Sequence, residues 1–258
     1  MKRAEQLRPH ADIYTLPLSQ LSIEHGTGGL EARLQHALAQ LGLADNQLIQ
    51  QSLGLGLELH REDARTYEPY NNHLLRVTLR LIEELGVVDL ATIAAAPLHD
   101  SVEDHPEELI RRFLGIEVPG DPHRLREFGY KALVSFATQY HTSEVAGIVL
   151  AVSNPILEPG DDKNKAYIEH TSRLALRGTP KSEALKVADF TDNVEAHEGL
   201  EESQKRSGLD RKQIGVYGLH VAGLTRPDSL VVGLAREKAV ETLSRRRSQA
   251  LERLGRVA

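Results

Sequence analysis

Apolar residues recur every three or four positions along most of the chain, which is the spacing of one face of an α-helix. The segment 28–43, GGLEARLQHALAQLGL, places four leucines on one such face: Leu30, Leu34, Leu38 and Leu41. No segment of the sequence shows the sustained alternation of apolar and polar residues that marks a half-buried strand. The pattern therefore predicts an all-α fold.

Residues that favour helix ends divide the rest of the chain. Asn71 or Asn72 is predicted to cap a helix that Gly86 ends, and Asp89 is predicted to cap the next helix, whose apolar stripe extends to Val102. Further helices are predicted over 46–60, 124–140, 143–153, 163–177, 181–197 and 229–254.

The sequence contains no fixed-period repeat and no low-complexity linker, which favours one helical domain. We expect residues 1–45 to form an N-terminal helical appendage, and residues 201–258 to form a C-terminal helical extension packed on the domain. The run GLGL at 54–57 indicates close packing between helices rather than a nucleotide cradle.

Composition narrows the classes of function. The net charge of −6 argues against a general nucleic-acid binder. No apolar run approaches the roughly 20 residues that span a bilayer, and the first residues lack the apolar core of a secretory signal. We therefore expect a cytoplasmic protein with neither nucleic acid nor membrane as a partner. The chain has no cysteine, so a transition metal must be held by histidine and carboxylate side chains.

The stretch 97–108, PLHDSVEDHPEE, concentrates two histidines and five acids directly after the bland run LATIAAA. If this stretch is helical, His99 shares a face with Glu103, and Asp100 shares one with Asp104. Taken alone, it is more typical of an exposed acidic helix end than of a metal site. Two distant segments favour the metal site. His73 begins the preceding helix, and Asp189 in LKVADFTDN is an acid among apolar neighbours, where it is costly without a partner.

Together these motifs resemble the HD-domain metal-dependent phosphohydrolases, and in detail the RelA/SpoT-type alarmone hydrolases, including their small stand-alone forms. That branch carries His-Asp-x-x-Glu-Asp, matched here by His99, Asp100, Glu103 and Asp104. It carries Glu-Pro-Tyr-x-x-His, matched by Glu68, Pro69, Tyr70 and His73. It also carries Lys-x-Ala-Asp-x-x-x-Asn, matched by Lys186, Ala188, Asp189 and Asn193. The likeness spans about residues 46–198.

Several positions depart from the branch. Pro97 stands where the family usually has leucine, and a proline inside a helix can kink it. The loop before Glu68 is about one residue shorter than usual and keeps only Arg65 near the expected basic positions. His73 is followed by leucine rather than proline, and Ala196 replaces a threonine. The departures concern the contacts with base and sugar, and the metal-ligand motifs are intact.

The resemblance implies an HD-domain helical bundle with its hydrolase domain at 46–200. It also implies a divalent metal held by four residues: His73, His99, Asp100 and Asp189. Two imidazoles and two carboxylates suit Mn²⁺ better than Mg²⁺, which prefers oxygen ligands and water. On this interpretation Glu103 accepts the proton of a water molecule, and Asp104 orients that water or protonates the leaving oxygen.

The implied activity is removal of the 3′-pyrophosphate of a (p)ppGpp-like alarmone, which yields GDP or GTP and pyrophosphate. Arg65, Asn193 and Lys186 are the predicted substrate contacts, although Arg65 is equally well explained as a solvated loop residue. Two alternatives stay open. The same site could act on another nucleotide, such as (p)ppApp, NADPH or a nucleoside monophosphate, or the chain could be a non-catalytic nucleotide-binding module.

Overall fold

A computed structural model describes residues 13–65, 68–198 and 204–255. The described residues form helices and connecting turns without a strand, which confirms the predicted all-α class. The helices are α1 Leu18–Gln40, α2 Gln47–Leu59, α3 Tyr70–Leu79, α4 Leu90–Ala95, α5 Ser101–Asp104, α6 Pro106–Phe113, α7 Pro122–Thr138, α8 Glu144–Val152, α9 Lys163–Arg177, α10 Pro180–Glu198, α11 Gln204–Leu224 and α12 Gly233–Gly255. None of the described helices is long and apolar enough to cross a membrane.

Local sequence explains where several helices begin. The Asp89 carboxylate accepts a hydrogen bond from the Thr92 amide at 2.9 Å, so the predicted cap of α4 is confirmed. The predicted cap of α3 is wrong. That helix begins at Tyr70, directly after Pro69, and the Asn72 side chain instead donates to the Ser22 hydroxyl at 3.0 Å.

The predicted continuous stripe from Asp89 to Val102 is also wrong, because the chain breaks it into three pieces. α4 ends at Ala95, a 3₁₀ turn covers Ala96–Leu98, and α5 starts at Ser101. Pro97 lacks a backbone N–H and crowds the preceding turn, which accounts for the break. His99 and Asp100 therefore lie in a turn between helices rather than inside one.

One apolar core extends from Ile13 to Leu243. α3 packs on α1 and α10, and α10 also contacts α4, α8 and α11. Three leucines of α1 that were predicted to share a face are fully buried in this core: Leu30, Leu34 and Leu38. Residues 18–40 thus share the core of the remaining helices, and the division of the chain at residues 45 and 200 stays a prediction.

Close packing at Gly56 fixes the position of the 3₁₀ turn. A Cβ atom at this position of α2 would lie 2.1 Å from the Pro97 carbonyl oxygen, whereas one at Gly54 would meet nothing within 4 Å. The close packing predicted for the GLGL run is therefore confirmed at its second glycine. It holds α2 directly against the turn that leads to His99.

Candidate metal centre and catalytic carboxylates

The four predicted metal ligands come together from three segments: the first turn of α3, the turn before α5, and the middle of α10. The Nε2 atoms of His73 and His99 lie 3.5 and 3.6 Å from the Asp189 Oδ1 atom. The Asp100 Oδ2 atom lies 2.9 Å from His99 Nε2 and 3.8 Å from His73 Nε2. Both histidines and Asp189 are buried, so the four side chains surround one enclosed space.

Hydrogen bonds on the far side of each ring determine which nitrogen faces that space. His99 Nδ1 lies 2.8 Å from the Ala96 carbonyl oxygen, which only accepts, so this nitrogen carries a proton. His73 Nδ1 lies 2.8 Å from the Asp192 carboxylate and donates to it in the same way. In a neutral imidazole the opposite nitrogen then has a lone pair. Neither Nε2 atom makes a well-aligned hydrogen bond among the described residues, and the nearest groups to both are the Asp100 and Asp189 carboxylates.

The charges favour a cation between these atoms. Burial opposes ionisation of Asp189, but Lys186, followed by His73 and His99, holds the pKa of this carboxyl well below its usual range. Burial likewise opposes a charged His99, yet Asp100 and Asp189 raise the pKa of this imidazole well above its ordinary value. The space therefore attracts positive charge. Two imidazole nitrogens and two carboxylates fit a divalent transition-metal ion.

A second layer of polar groups holds the ligands in place. Tyr70 donates its hydroxyl to the Asp100 carboxylate. Lys186 Nζ lies 3.1 Å from Asp189 Oδ2, and the Asn193 amide donates to Asp189 Oδ1 at 2.6 Å. Such groups fix ligand orientation and typically affect metal affinity 10- to 100-fold.

Asp192 is a further member of this layer that the sequence analysis missed. Its carboxylate accepts from His73, from Arg76 Nε at 2.8 Å and from Arg80 Nε at 3.2 Å. Burial opposes its ionisation, but the bonds from His73 and the guanidinium groups hold the pKa of Asp192 well below its ordinary value. The only signal in the sequence was a second acid three positions after Asp189 in VADFTDN.

The arginine network continues away from the metal centre. Arg80 also donates to Glu84 and Glu195, and Arg246 of α12 donates to Glu195. Glu195 contacts none of the predicted metal ligands in this network. A substitution of Glu195 can therefore test the contribution of the network to stability without disturbing those ligands.

Glu103 lies in α5, immediately after the metal-ligand turn. Its Oε1 atom accepts from the Asn154 backbone amide at 2.7 Å, and its Oε2 atom accepts from the Asn154 side chain at 3.1 Å. Burial and the nearby Asp100 charge raise the pKa of Glu103. Asn154, in the loop after α8, holds this carboxylate in one orientation, and the sequence analysis did not identify it.

Asp104 follows Glu103 but has an exposed side chain. Although the residue is exposed, reduced hydration of the carboxyl and the charge of Asp100 raise its pKa. The two predicted catalytic acids thus differ: Glu103 is fixed by two donors from one residue, and Asp104 faces solvent.

Two of the three predicted substrate contacts meet beside the centre. Arg65 Nη2 donates to the Asn193 side-chain oxygen at 2.7 Å, and the Arg65 guanidinium lies 5.2 Å from the centre of the Tyr70 ring. Arg65 is therefore held within the site and is not a freely solvated loop residue.

Lys186 has a different position. It is buried, and its Nζ atom bonds the Val152 carbonyl oxygen at 3.2 Å as well as Asp189. The geometry favours a role in orienting and charge-balancing Asp189 over direct contact with a substrate.

Comparison with family models yields no match, and neither does comparison with curated proteins. Among solved structures, the chain is similar to a metazoan ortholog of SpoT, a protein that hydrolyzes ppGpp and plays a role in starvation responses. The two are 19% identical, the match covers 78% of this chain and 96% of that one, and the TM-score is 0.52. At this identity the likeness shows a shared fold, and the helical bundle expected from the motifs is confirmed.

Proposed function

We propose that this chain is a metal-dependent hydrolase that removes the 3′-pyrophosphate of (p)ppGpp-like alarmones, giving GDP or GTP and pyrophosphate. The observation that carries the proposal is the convergence of the buried Nε2 atoms of His73 and His99 on the Asp100 and Asp189 carboxylates. The three ordered motifs and the shared fold with a protein that hydrolyzes ppGpp support it.

His73, His99, Asp100 and Asp189 would hold the metal, and their mixed nitrogen and oxygen donors make Mn²⁺ the ion we propose. A divalent ion supplies polarisation of a phosphoryl oxygen and lowers the pKa of water. A cytoplasmic location and a part in the stringent response belong to the same proposal.

Glu103 is assigned the role of general base. Burial raises its pKa above the ordinary range, which makes the carboxylate a stronger proton acceptor. The two bonds from Asn154 hold it in place while an attacking water gives up its proton. Asp104, whose pKa is also raised, orients that water or donates a proton to the leaving oxygen.

Arg65 and Asn193 are the proposed contacts for the substrate. The guanidinium offers paired donors for phosphate and a flat surface for a base. Its bond to the neutral Asn193 side chain keeps it next to the candidate metal centre, where its Nη1 atom lies 3.9 Å from Asp192 Oδ2.

A second candidate keeps the chemistry and changes the substrate to another nucleotide: (p)ppApp, NADPH or a nucleoside monophosphate. The short loop HREDARTYEPY before α3 favours it, because this loop departs from the alarmone-hydrolase pattern on the substrate side. A non-catalytic nucleotide-binding module is the remaining alternative.

One assay distinguishes these functions. The protein is stripped with chelator, reloaded with Mn²⁺, and incubated separately with ppGpp, ppApp, NADPH and GMP, and the products are separated by ion-exchange chromatography. We expect pyrophosphate and GDP from ppGpp, no product in chelator, and a rate lowered roughly 10²- to 10⁴-fold with Glu103→Gln. If another nucleotide is cleaved and ppGpp is not, the second candidate function replaces the alarmone proposal. If ppGpp binds but no nucleotide is cleaved, the chain is a non-catalytic binding module.

A further inference from the structure

A second group of metal-type side chains lies outside the centre described above: His60, Asp63 and His105. His60 Nδ1 lies 2.8 Å from Asp63 Oδ2, and His105 Nε2 lies 2.7 Å from the same oxygen. The three ligand atoms all lie within 4.8 Å of one another. We call this group the outer cluster.

Local backbone geometry brings the outer cluster together. His60 follows the last residue of α2, and a turn closed by the Asp63 amide and the His60 carbonyl oxygen, 3.1 Å apart, returns Asp63 toward it. His105 joins α5 to α6, where its φ of −127° and ψ of 38° lie outside the helical range and the following Pro106 starts a new helix. Two separate turns therefore present three ligand-type side chains to one point.

The protonation states suit metal binding. Burial lowers the pKa of His60 to about 4, so this imidazole is neutral at physiological pH. Burial acts to raise the pKa of Asp63, but the bonds from His105 and His60 outweigh it and keep the carboxyl ionised. His60 Nε2 has no hydrogen bond among the described residues, so the imidazole proton can move there. That shift gives up the bond from Nδ1 to Asp63 and leaves the Nδ1 lone pair free to coordinate an ion.

The outer cluster is open to solvent on one side. The His60 side chain is fully buried, whereas those of Asp63 and His105 are 35% and 20% exposed. Two imidazoles and one carboxylate form the donor set of many zinc sites that keep coordination positions open for water or a ligand. An ion could thus enter from solvent and keep open positions on that side.

We propose that His60, Asp63 and His105 form a second cation site, which takes a borderline divalent ion such as Zn²⁺. This inference goes beyond the proposed function, because the site uses none of the four ligands of the buried centre. Tyr70 lies between the two sites: its ring stacks on His60 with centroids 4.7 Å apart, and its hydroxyl bonds Asp100.

An ion bound at the outer cluster would change the charge beside the proposed catalytic residues Glu103 and Asp104. His105 directly follows Asp104, and the charges of both Asp63 and His105 act on the Asp104 carboxyl. The acidic pair Glu103 and Asp104 repels an incoming phosphate. A divalent ion at the outer cluster supplies positive charge next to Asp104 and offsets that repulsion.

The test counts bound ions. Stripped protein is equilibrated with Zn²⁺, and separately with Co²⁺ as a spectroscopic probe, then dialysed and analysed for metal per chain. Wild type should hold two ions. His105→Asn and Asp63→Asn should each hold one, with affinity at the outer cluster reduced on the order of 100-fold or more. Asp189→Asn should retain the outer ion and its Co²⁺ absorption.

His123→Asn is the matched control, since it removes an exposed histidine that pairs only with a carboxylate, Glu158, at 2.7 Å. This variant should still hold two ions. One ion in wild type and in both outer-cluster variants would overturn the proposal and leave Asp63 as a hydrogen-bond bridge between two imidazoles. Because the count does not depend on turnover, a failure of the hydrolase proposal would leave its outcome unchanged.

Discussion

The buried metal centre and the outer cluster contain similar side chains but support them differently. In the buried centre, other protein groups hold the ligands: Asp192 bonds His73, the Ala96 carbonyl bonds His99, and Lys186 bonds Asp189. In the outer cluster, Asp63 is itself the hydrogen-bond partner of both imidazoles. The first arrangement is organised before an ion arrives, whereas the second must exchange hydrogen bonds for coordination.

The two sites should therefore respond differently to substitution. Buried charges are tolerated only as a connected set, so removing one leaves others unpaired. Substitutions in the buried centre should therefore lower both metal affinity and the free energy of unfolding. Substitutions at the partly exposed Asp63 and His105 should change metal content with less effect on folding.

The largest effect is expected for Asp189→Asn, which removes one of only two anionic ligands. Metal retention should fall by at least about 100-fold, and activity should drop to background. The unpaired, buried Lys186 should also cost about 3–5 kcal/mol of stability. Calorimetric metal titration and thermal unfolding measure the two effects.

The double variant Asp189→Asn/Lys186→Met separates the effect on metal affinity from the effect on stability. It should recover stability without recovering metal binding. Restored metal binding in the double variant would remove Asp189 from the ligand set.

A smaller effect is expected for Glu103→Gln, because an amide cannot accept the proton but can still contact Asn154. The metal should be retained, and kcat should fall by roughly 10²- to 10⁴-fold. Glu107→Gln is the matched control, since Glu107 is exposed and pairs with Arg111 four residues away. Normal turnover in Glu103→Gln would transfer the role of base to Asp104.

Asp192→Asn tests the support of His73. Loss of the anionic acceptor should lower metal affinity about 10- to 100-fold. Stability should fall as well, because Arg76 and Arg80 lose a buried partner. Glu195→Gln weakens the same arginine network without touching His73, so it should lower stability and leave metal affinity intact. Equal metal affinities in the two variants would show that Asp192 acts only in folding.

The smallest effect concerns pH. Glu103 must be ionised to accept a proton, and its pKa is raised above the ordinary 4.5, so the acid limb of kcat/KM should lie above pH 4.5. The Asn154 side chain favours the ionised form. Asn154→Ala should therefore raise this pKa and move the limb to higher pH by a fraction of a unit. A limb that stays in place or moves to lower pH would contradict the assignment.

Helices with a continuous apolar stripe could be predicted from the sequence, but two others could not. α11 contains Gly208, Gly215, Gly218 and Gly223, which weaken helix propensity and blur the stripe. At Gly223 a Cβ atom would lie 2.3 Å from Glu183 Oε1, so this glycine serves a contact with α10. α6 carries few apolar residues in its first turn and begins at a proline, so its acidic start resembles a solvated segment.

The convergence of His73, His99, Asp100 and Asp189 could be predicted because residue types in an ordered set of motifs identify them, and their role as metal ligands stays a prediction. Their supporting groups could not, because Asp192 and Asn154 acquire their roles only when α10 and the loop after α8 meet distant residues. The same is true of the outer cluster, since His60 and His105 are 45 positions apart in the sequence. For Lys186 the motif predicted a position near Asp189. The fold shows that its ammonium group bonds Asp189 and the Val152 carbonyl oxygen.

The contact between Gly56 and Pro97 restricts which sequences this site tolerates. A side chain at position 56 would displace the 3₁₀ turn that leads to His99, although Gly56 contacts no ligand. Because the two nearest atoms belong to the backbone carbonyl of Pro97, a change of side chain at position 97 would not relieve this clash. Gly56→Ala would therefore weaken metal binding indirectly, by moving the turn that carries His99. The range of sequences compatible with the candidate centre thus depends in part on a residue that has no chemical role there.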